Sequence, residues 1–342
     1  MKFFEKNNRR VFLILLMAVA AIAVAVISVS VGSANMGADA FFRLILQKMG
    51  ILEGLASNQE MILLDIRLPR VLLSFFVGGA LSFCGTCMQG VFKNPMADPH
   101  ILGVSSGSAL GATIAIASVG TAMQAQIGVV GCAFIGGIAS VFIVYRVALV
   151  NGRMTTVGLL LSGTAVSALF TAVIHGIMIL NHDKMERIVL WTMGSLSTAG
   201  WNQVLIGVPV MVAGMIPCFF FARDLNIMLL GEEEAYHLGV KTQQVRAFIM
   251  IFTALVVSAA VSVSGLIGFV GLMVPHMLRL ICGPDHKLLL PASFLGGGIF
   301  LMLCDMAART LASPLEIPVG VITALLGAPF FIYLLRRRKG VS

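Results

Sequence analysis

Charge is scarce in this chain. Asp, Glu, Lys and Arg make up 11% of its 342 residues, and only 15 of those are acidic. So little charge cannot solvate the surface of a water-soluble fold, particularly with 58% hydrophobic residues and a mean hydropathy of +1.00. A phosphate-cradling Gly-x-x-x-x-Gly-Lys-[Ser/Thr] loop is also missing, and no lysine follows a glycine, so the chain has no nucleotide site of that kind. Clusters of His, Asp or Glu inside apolar runs are lacking too, which argues against a membrane-embedded enzyme or a metal centre. His100 and His276 each follow a proline with no second ligand at metal spacing, and read as satisfied polar residues at helix ends. Cysteines are few: Cys84, Cys87, Cys132, Cys218, Cys282 and Cys304 all lie in or beside apolar runs. That placement speaks for free, buried thiols and against a secreted disulfide framework, and Cys84-Gly-Thr-Cys87 sits in mid-span, away from the accessible helix start that redox chemistry needs.

What the sequence has in abundance is long apolar runs, and their solvent is lipid. A bilayer core takes about 20 apolar residues per helix, and its backbone groups must be satisfied internally. The fold class is therefore an all-α polytopic membrane protein; a β-barrel would show short alternating segments instead. Ten spans are expected, at about 11–33, 68–91, 99–119, 126–150, 156–180, 203–222, 247–265, 267–281, 287–308 and 318–335. The eighth is short and interrupted by Pro275, and Gly265, Gly268 and Gly271 ahead of it read as a break between two helices. Gly103, Gly107 and Gly111 at helical spacing read as close helix packing. Lys2 to Arg10 ahead of Val11 to Val31 resembles a signal peptide, but the apolar stretch exceeds the usual h-region and reads as a retained first span.

The net charge of +8 could suggest nucleic acid. The basic residues, however, sit between apolar runs, where they orient helices. With the N-terminus inside, 16 of the 23 Lys and Arg fall on the cytoplasmic side, which supports an even number of spans and both termini in the cytoplasm.

Two polar features stand out. Arg67 and Arg70 lie at the expected outer mouth of the second span, and Arg309 follows Asp305 at another outer helix end. Three guanidinium groups there suggest a carboxylate-binding surface, against the plainer reading of headgroup anchors. The longest internal hydrophilic segment, 223–246, contains an acidic start at Glu232, apolar Ala235 and Leu238, and a glycine stop at Gly239. That pattern describes a short capped helix suited to docking a partner.

Many stretches, in order along nearly the whole chain, resemble the permease family of bacterial ABC importers for ferric siderophores, haem and vitamin B12. They include Arg67-Leu-Pro-Arg70, Gly79 through Gln89, Asn94-Pro-Met-Ala-Asp-Pro99 with Leu102-Gly-Val-Ser-Ser-Gly107, and Trp191 with Gly194-Ser195. Further matches are Leu230-Gly231 with Leu238-Gly239, Gly265 through Leu272, Pro275-His276 with Arg279, Asp305 with Arg309, and Pro318-Val-Gly320 with Gly327-Ala-Pro329. Met96 departs from the family's usual leucine, and Cys84 and Cys87 stand where small residues are common.

The resemblance implies a type II importer permease fold in the bacterial inner membrane. It also implies a second permease subunit, identical or paralogous, a central path, and two cytoplasmic ATPases that carry ATP and Mg. An external solute-binding protein would dock on Arg67, Arg70 and Arg309. Gly231, Glu232, Ala235, Leu238 and Gly239 would couple to the ATPase, and Thr155 and Thr156 would form an inner gate; for the last two, a plain helix-capping turn is the competing reading. The rival class is an ion-coupled secondary transporter, which should carry ionisable groups in mid-membrane; His175 is the sole candidate.

Overall fold

The structure, a computed structural model, describes residues 2–32, 43, 57–118, 122–150 and 153–339. Helix α1 is Lys2–Ser30. Helix α2 begins at Ser57–Met61, passes through one π-helical turn at Ile62–Arg67 and continues as Leu68–Val91. Then come α3 (Val104–Ser118), α4 (Ala122–Ala148), α5 (Thr156–Leu180), α6 (Met185–Thr192) and α7 (Trp201–Phe220). The chain continues through α8 (Ala222–Met228), α9 (Glu232–His237), α10 (Thr242–Ser264), α11 (Val270–Cys282), α12 (His286–Thr310) and α13 (Val319–Lys339). The strands β1 (Leu149–Val150) and β2 (Arg153–Met154) form one small antiparallel pair.

Among the described residues seven helices are long and apolar enough to cross a membrane, and three shorter apolar helices, Val104–Ser118, Val270–Cys282 and Val319–Leu334, accompany them. Every expected span overlaps one of these ten. The expected second span begins too late: α2 runs ten residues further, because the Asp65 and Arg67 charges that read as a helix mouth lie within the helix.

Lipid supplies no hydrophobic drive between helices, so close backbone approach does the packing. Helix α2 is the axis, buried over 83% of its most apolar window, against 11% for α1 and 28% for α5. It packs most extensively on α12, and α3 on α4. Missing side chains permit these contacts and that of α2 with α11: a Cβ on Gly78 would strike the Gly297 backbone of α12, one on Gly107 the Gly136 backbone of α4, and one on Gly85 the Gly271 backbone of α11. The expected Gly107 and Gly111 packing is seen here.

The expected break after Gly265 is also seen. Helix α10 ends at Ser264, Gly265 takes φ +67°, and Phe269 caps α11 with φ +68°, a left-handed conformation uncommon for a large aromatic residue. All six cysteines are free, but the expectation of buried thiols needs correcting at two positions. Cys132 is exposed, and Cys282, near the end of its helix, is half-buried against the edge of the core.

Candidate functional sites at the two ends of the bundle

Helix α1 ends at Ser30, so among the described residues the Ser28, Val29, Ser30 and Val31 carbonyls have no helical partner, a costly omission where water is scarce. Two arginines satisfy all four. Arg67 Nη1 donates to Val29 O at 3.0 Å and Ser30 O at 2.8 Å. Arg309 donates to Val31 O at 2.9 Å, Ser28 O at 3.1 Å and Ser28 Oγ at 2.9 Å. Cations at a helix C-terminus also oppose its negative dipole end.

Behind them lies Asp305, fully buried and shared. Arg70 reaches it at 3.0 Å and Arg309 at 3.1 Å, while Arg70 Nη1 also holds Glu316 at 2.9 Å. The structure thus brings the three predicted arginines together but corrects their setting. Arg67, Arg70 and Arg309 are 4%, 6% and 3% exposed. They clasp α1, α2 and α12 inside the bundle and do not present a free arginine surface.

The π-helical turn belongs to the same construction. Its widened ladder leaves Leu64 O to accept from Trp201 Nε1 at 3.0 Å, tying α2 to the start of α7.

At the opposite end, α9 occupies the predicted segment. Gly231 and Gly239 have φ +150° and +82°, bracketing six helical residues. Gly239 N–H donates to Tyr236 O and Val240 N–H to Ala235 O, both at 2.9 Å, a Schellman stop. Ala235 and Val240, at the two positions whose side chains usually accompany that stop, are both buried in the core. Ala235 is therefore corrected as a surface contact, since it is 0% exposed. Tyr236 and Leu238 are exposed, at 77% and 58%, and Glu232 is exposed while paired with Arg246. The sequence gives no sign of the exposure of Tyr236, because a lone tyrosine beside a run of glutamates has no helical periodicity.

The predicted gate position is a tight turn. Thr155 Oγ1 accepts from Gly158 N–H at 3.0 Å as the N-cap of α5; Thr156 opens that helix, and its side chain lies outside the described residues. His100 behaves as a satisfied polar residue: its Nε2 meets Ile267 O at 3.1 Å, a carbonyl released by the break after α10. His175 lies exposed on α5, on the side that carries Thr164, Ala168 and Thr171.

Where α10 ends and α13 begins, three chain segments meet backbone to backbone. Ser195 N–H donates to Ser264 O at 2.9 Å, and Gly320 N–H to Gly194 O at 3.2 Å. A Cβ on Gly194, Gly265 or Gly320 would collide with the carbonyls of Leu266, Trp191 or Met193. The motif glycines locate this junction in the sequence, although which carbonyl each faces is not encoded locally.

Among the described residues, nine apolar helices pack around α2, with polar constructions gathered at both ends, the architecture of a polytopic membrane protein. The chain belongs to the FecCD transport family, whose model matches residues 15–337. The cobalamin import system permease protein BtuC of Halobacterium salinarum is 45% identical over 286 residues, covering 84% of this chain and 76% of that one. The hemin transport system permease protein HmuU of Yersinia pestis is 40% identical over 335 residues, covering 96% and 95%. A solved structure described as an inward-facing metal-chelate type ABC transporter superimposes with TM-score 0.82 at 30% identity, covering 95% of this chain and 98% of that chain. The fold is that of a type II ABC importer permease, and nothing in these relatives supports the ion-coupled alternative.

Proposed function

We propose that the chain forms the membrane path of an ATP-driven importer that carries an iron chelate, haem or a corrinoid into the cell. The carrying observation is the likeness over nearly full length to permeases named for cobalamin and hemin import. The bundle's two different ends fit that work. The arginine clasp lies on the outer side and α9 in the cytoplasm, with both termini inside, the orientation that the basic residues favour.

A solute-binding protein docks on the outer end. Arg67, Arg70 and Arg309 serve that docking by fixing α1, α2 and α12 beneath it, since their own donors are engaged within the chain. An ATPase subunit, carrying ATP and Mg, docks on α9 through Tyr236, Leu238 and the flanking Glu232. A second permease subunit covers part of the exposed face of α5, and the Thr155 and Thr156 turn lies at the inner mouth of the path between the two.

Reconstitution with the neighbouring ATPase and binding protein tests this reading. ATP-dependent uptake of labelled cobalamin, haem or a ferric siderophore is expected. Purification from the native host without any co-purifying ATPase, together with ATP-independent uptake, would overturn it.

A further inference from the structure

At the end of the bundle that carries α9, two cavities of about 360 Å³ each adjoin one another. They share Arg10 of α1 and Lys287 of α12. The first is mixed, walled by Arg223, Asn226 and the apolar Ile227 of α8, by Leu230 and by Asp285. The second is an apolar slot along Val11, Ile14, Leu15 and Leu288.

The wall of the first cavity carries a connected polar network. Asp285 Oδ2 holds Arg10 at 2.7 Å, while Asp285 Oδ1 accepts from Asn226 Nδ2 at 2.7 Å and from Lys287 N–H at 3.1 Å. Asn226 Oδ1 in turn accepts from His286 N–H at 2.8 Å. The single carboxylate lining the cavity is thus committed to Arg10. Arg223 and Lys287 are exposed and make no ion pair with any described residue. Three cations against one carboxylate leave a lining charge of +2.

A ligand complementary to both cavities carries negative charge at one end and an alkyl chain at the other. We propose that this is a binding site for an anionic phospholipid of the adjacent leaflet. Its phosphodiester sits between Arg223, Lys287 and the outer edge of Arg10, and one acyl chain lies along Val11, Ile14 and Leu15. A soluble phosphate compound would satisfy the cations but leave the apolar slot empty. A zwitterionic lipid would fill the slot but bring a cationic group to a cationic rim.

The bound lipid joins α1, α8 and α12 immediately before the chain enters α9. It is accordingly expected to stiffen the base from which α9 projects. The binding itself does not depend on the transport reading.

The test is native mass spectrometry of the full-length protein, delipidated in detergent and titrated with phosphatidylglycerol, phosphatidylcholine or inorganic phosphate. Phosphatidylglycerol is expected to be retained preferentially and not displaced by millimolar phosphate. In the double variant Arg223→Gln with Lys287→Gln its affinity should fall about 25-fold, a factor of about five for each surface cation. Equal retention of phosphatidylcholine, displacement by free phosphate, or unchanged affinity in the double variant would each overturn the proposal. The comparison of ligands on the wild-type protein decides the matter even if the double variant fails to fold.

Discussion

Replacing Asp305 by asparagine removes the one fully buried negative charge at the end of α1 while keeping its shape. Asp305 lies 3.0 Å from Arg70 and 3.1 Å from Arg309, and no solvent reaches it. The wild-type group of three arginines and two carboxylates sums to +1, which the α1 carbonyl end can offset; the variant sums to +2. Breaking a buried pair on one side costs about 3–5 kcal/mol, because the stranded cations remain desolvated. Glu316 still holds Arg70 and the α1 carbonyls still hold Arg309, so the lower figure is expected: about 3 kcal/mol, or roughly 150-fold in the folded ratio. Unfolding in a denaturing-detergent titration, followed by the fluorescence of Trp191 and Trp201, measures it. As a control, Glu316→Gln should cost less than about 1 kcal/mol, since that carboxylate is 32% exposed. A loss below about 1 kcal/mol for Asp305→Asn would refute the view that this network holds the helices together.

Charge reversal at Arg67 and Arg70 together should deplete folded protein in the membrane, because two new carboxylates would face Asp305 and the α1 carbonyls. Abundant, folded, docking-defective protein would show the arginines to be surface contacts after all. Leu238→Arg should abolish ATPase binding without altering thermal stability, whereas Ala235→Arg should unfold α9 first; measuring both by pull-down and melting separates surface from core. Gly85→Val should destabilise by about 2 kcal/mol or more, since its side chain would enter the Gly271 backbone, and normal expression with an unchanged melt would contradict the packing. Burial pushes the Asp285 carboxyl up, but the Asn226 amide, the Lys287 N–H and Arg10 together hold it below its usual 3.8. A depressed folded value means its contribution is present above pH 4 and lost as pH falls through that lower value. The wild-type advantage over Asp285→Asn, less than about 1 kcal/mol for so exposed a pair, should be present at neutral pH and disappear once the pH falls below that lowered value.

Much of the architecture was legible because lipid imposes a simple rule: a run of apolar residues long enough to cross must be a helix. The break after Gly265 was legible for a similar reason, since glycines and a proline interrupt that rule. The setting of the arginines was not. Arg67 and Arg309 bind main-chain carbonyls, which leave no mark on the sequence, and Arg70 finds Asp305 across 235 positions. Charges at a span edge therefore read as a surface, although tertiary pairing had buried them. Ala235 misled in the opposite way: in a helix of six residues, one small apolar side chain anchors the turn to the core, and only the neighbouring exposed ring and Leu238 are left to meet a partner. The left-handed Phe269 had no sequence signal, because an aromatic residue takes that conformation only when the surrounding chain forces it.

The junction of Gly194, Gly265 and Gly320 consists of peptide groups alone. A joint without side chains cannot be loosened or reshaped by small steps, since almost any replacement puts an atom where a carbonyl already stands. The walls on either side are under no such restriction. Side chains elsewhere on the helices that meet at this point can vary while the crossing of their backbones stays fixed, so a shared frame tolerates wide divergence in the surfaces it carries.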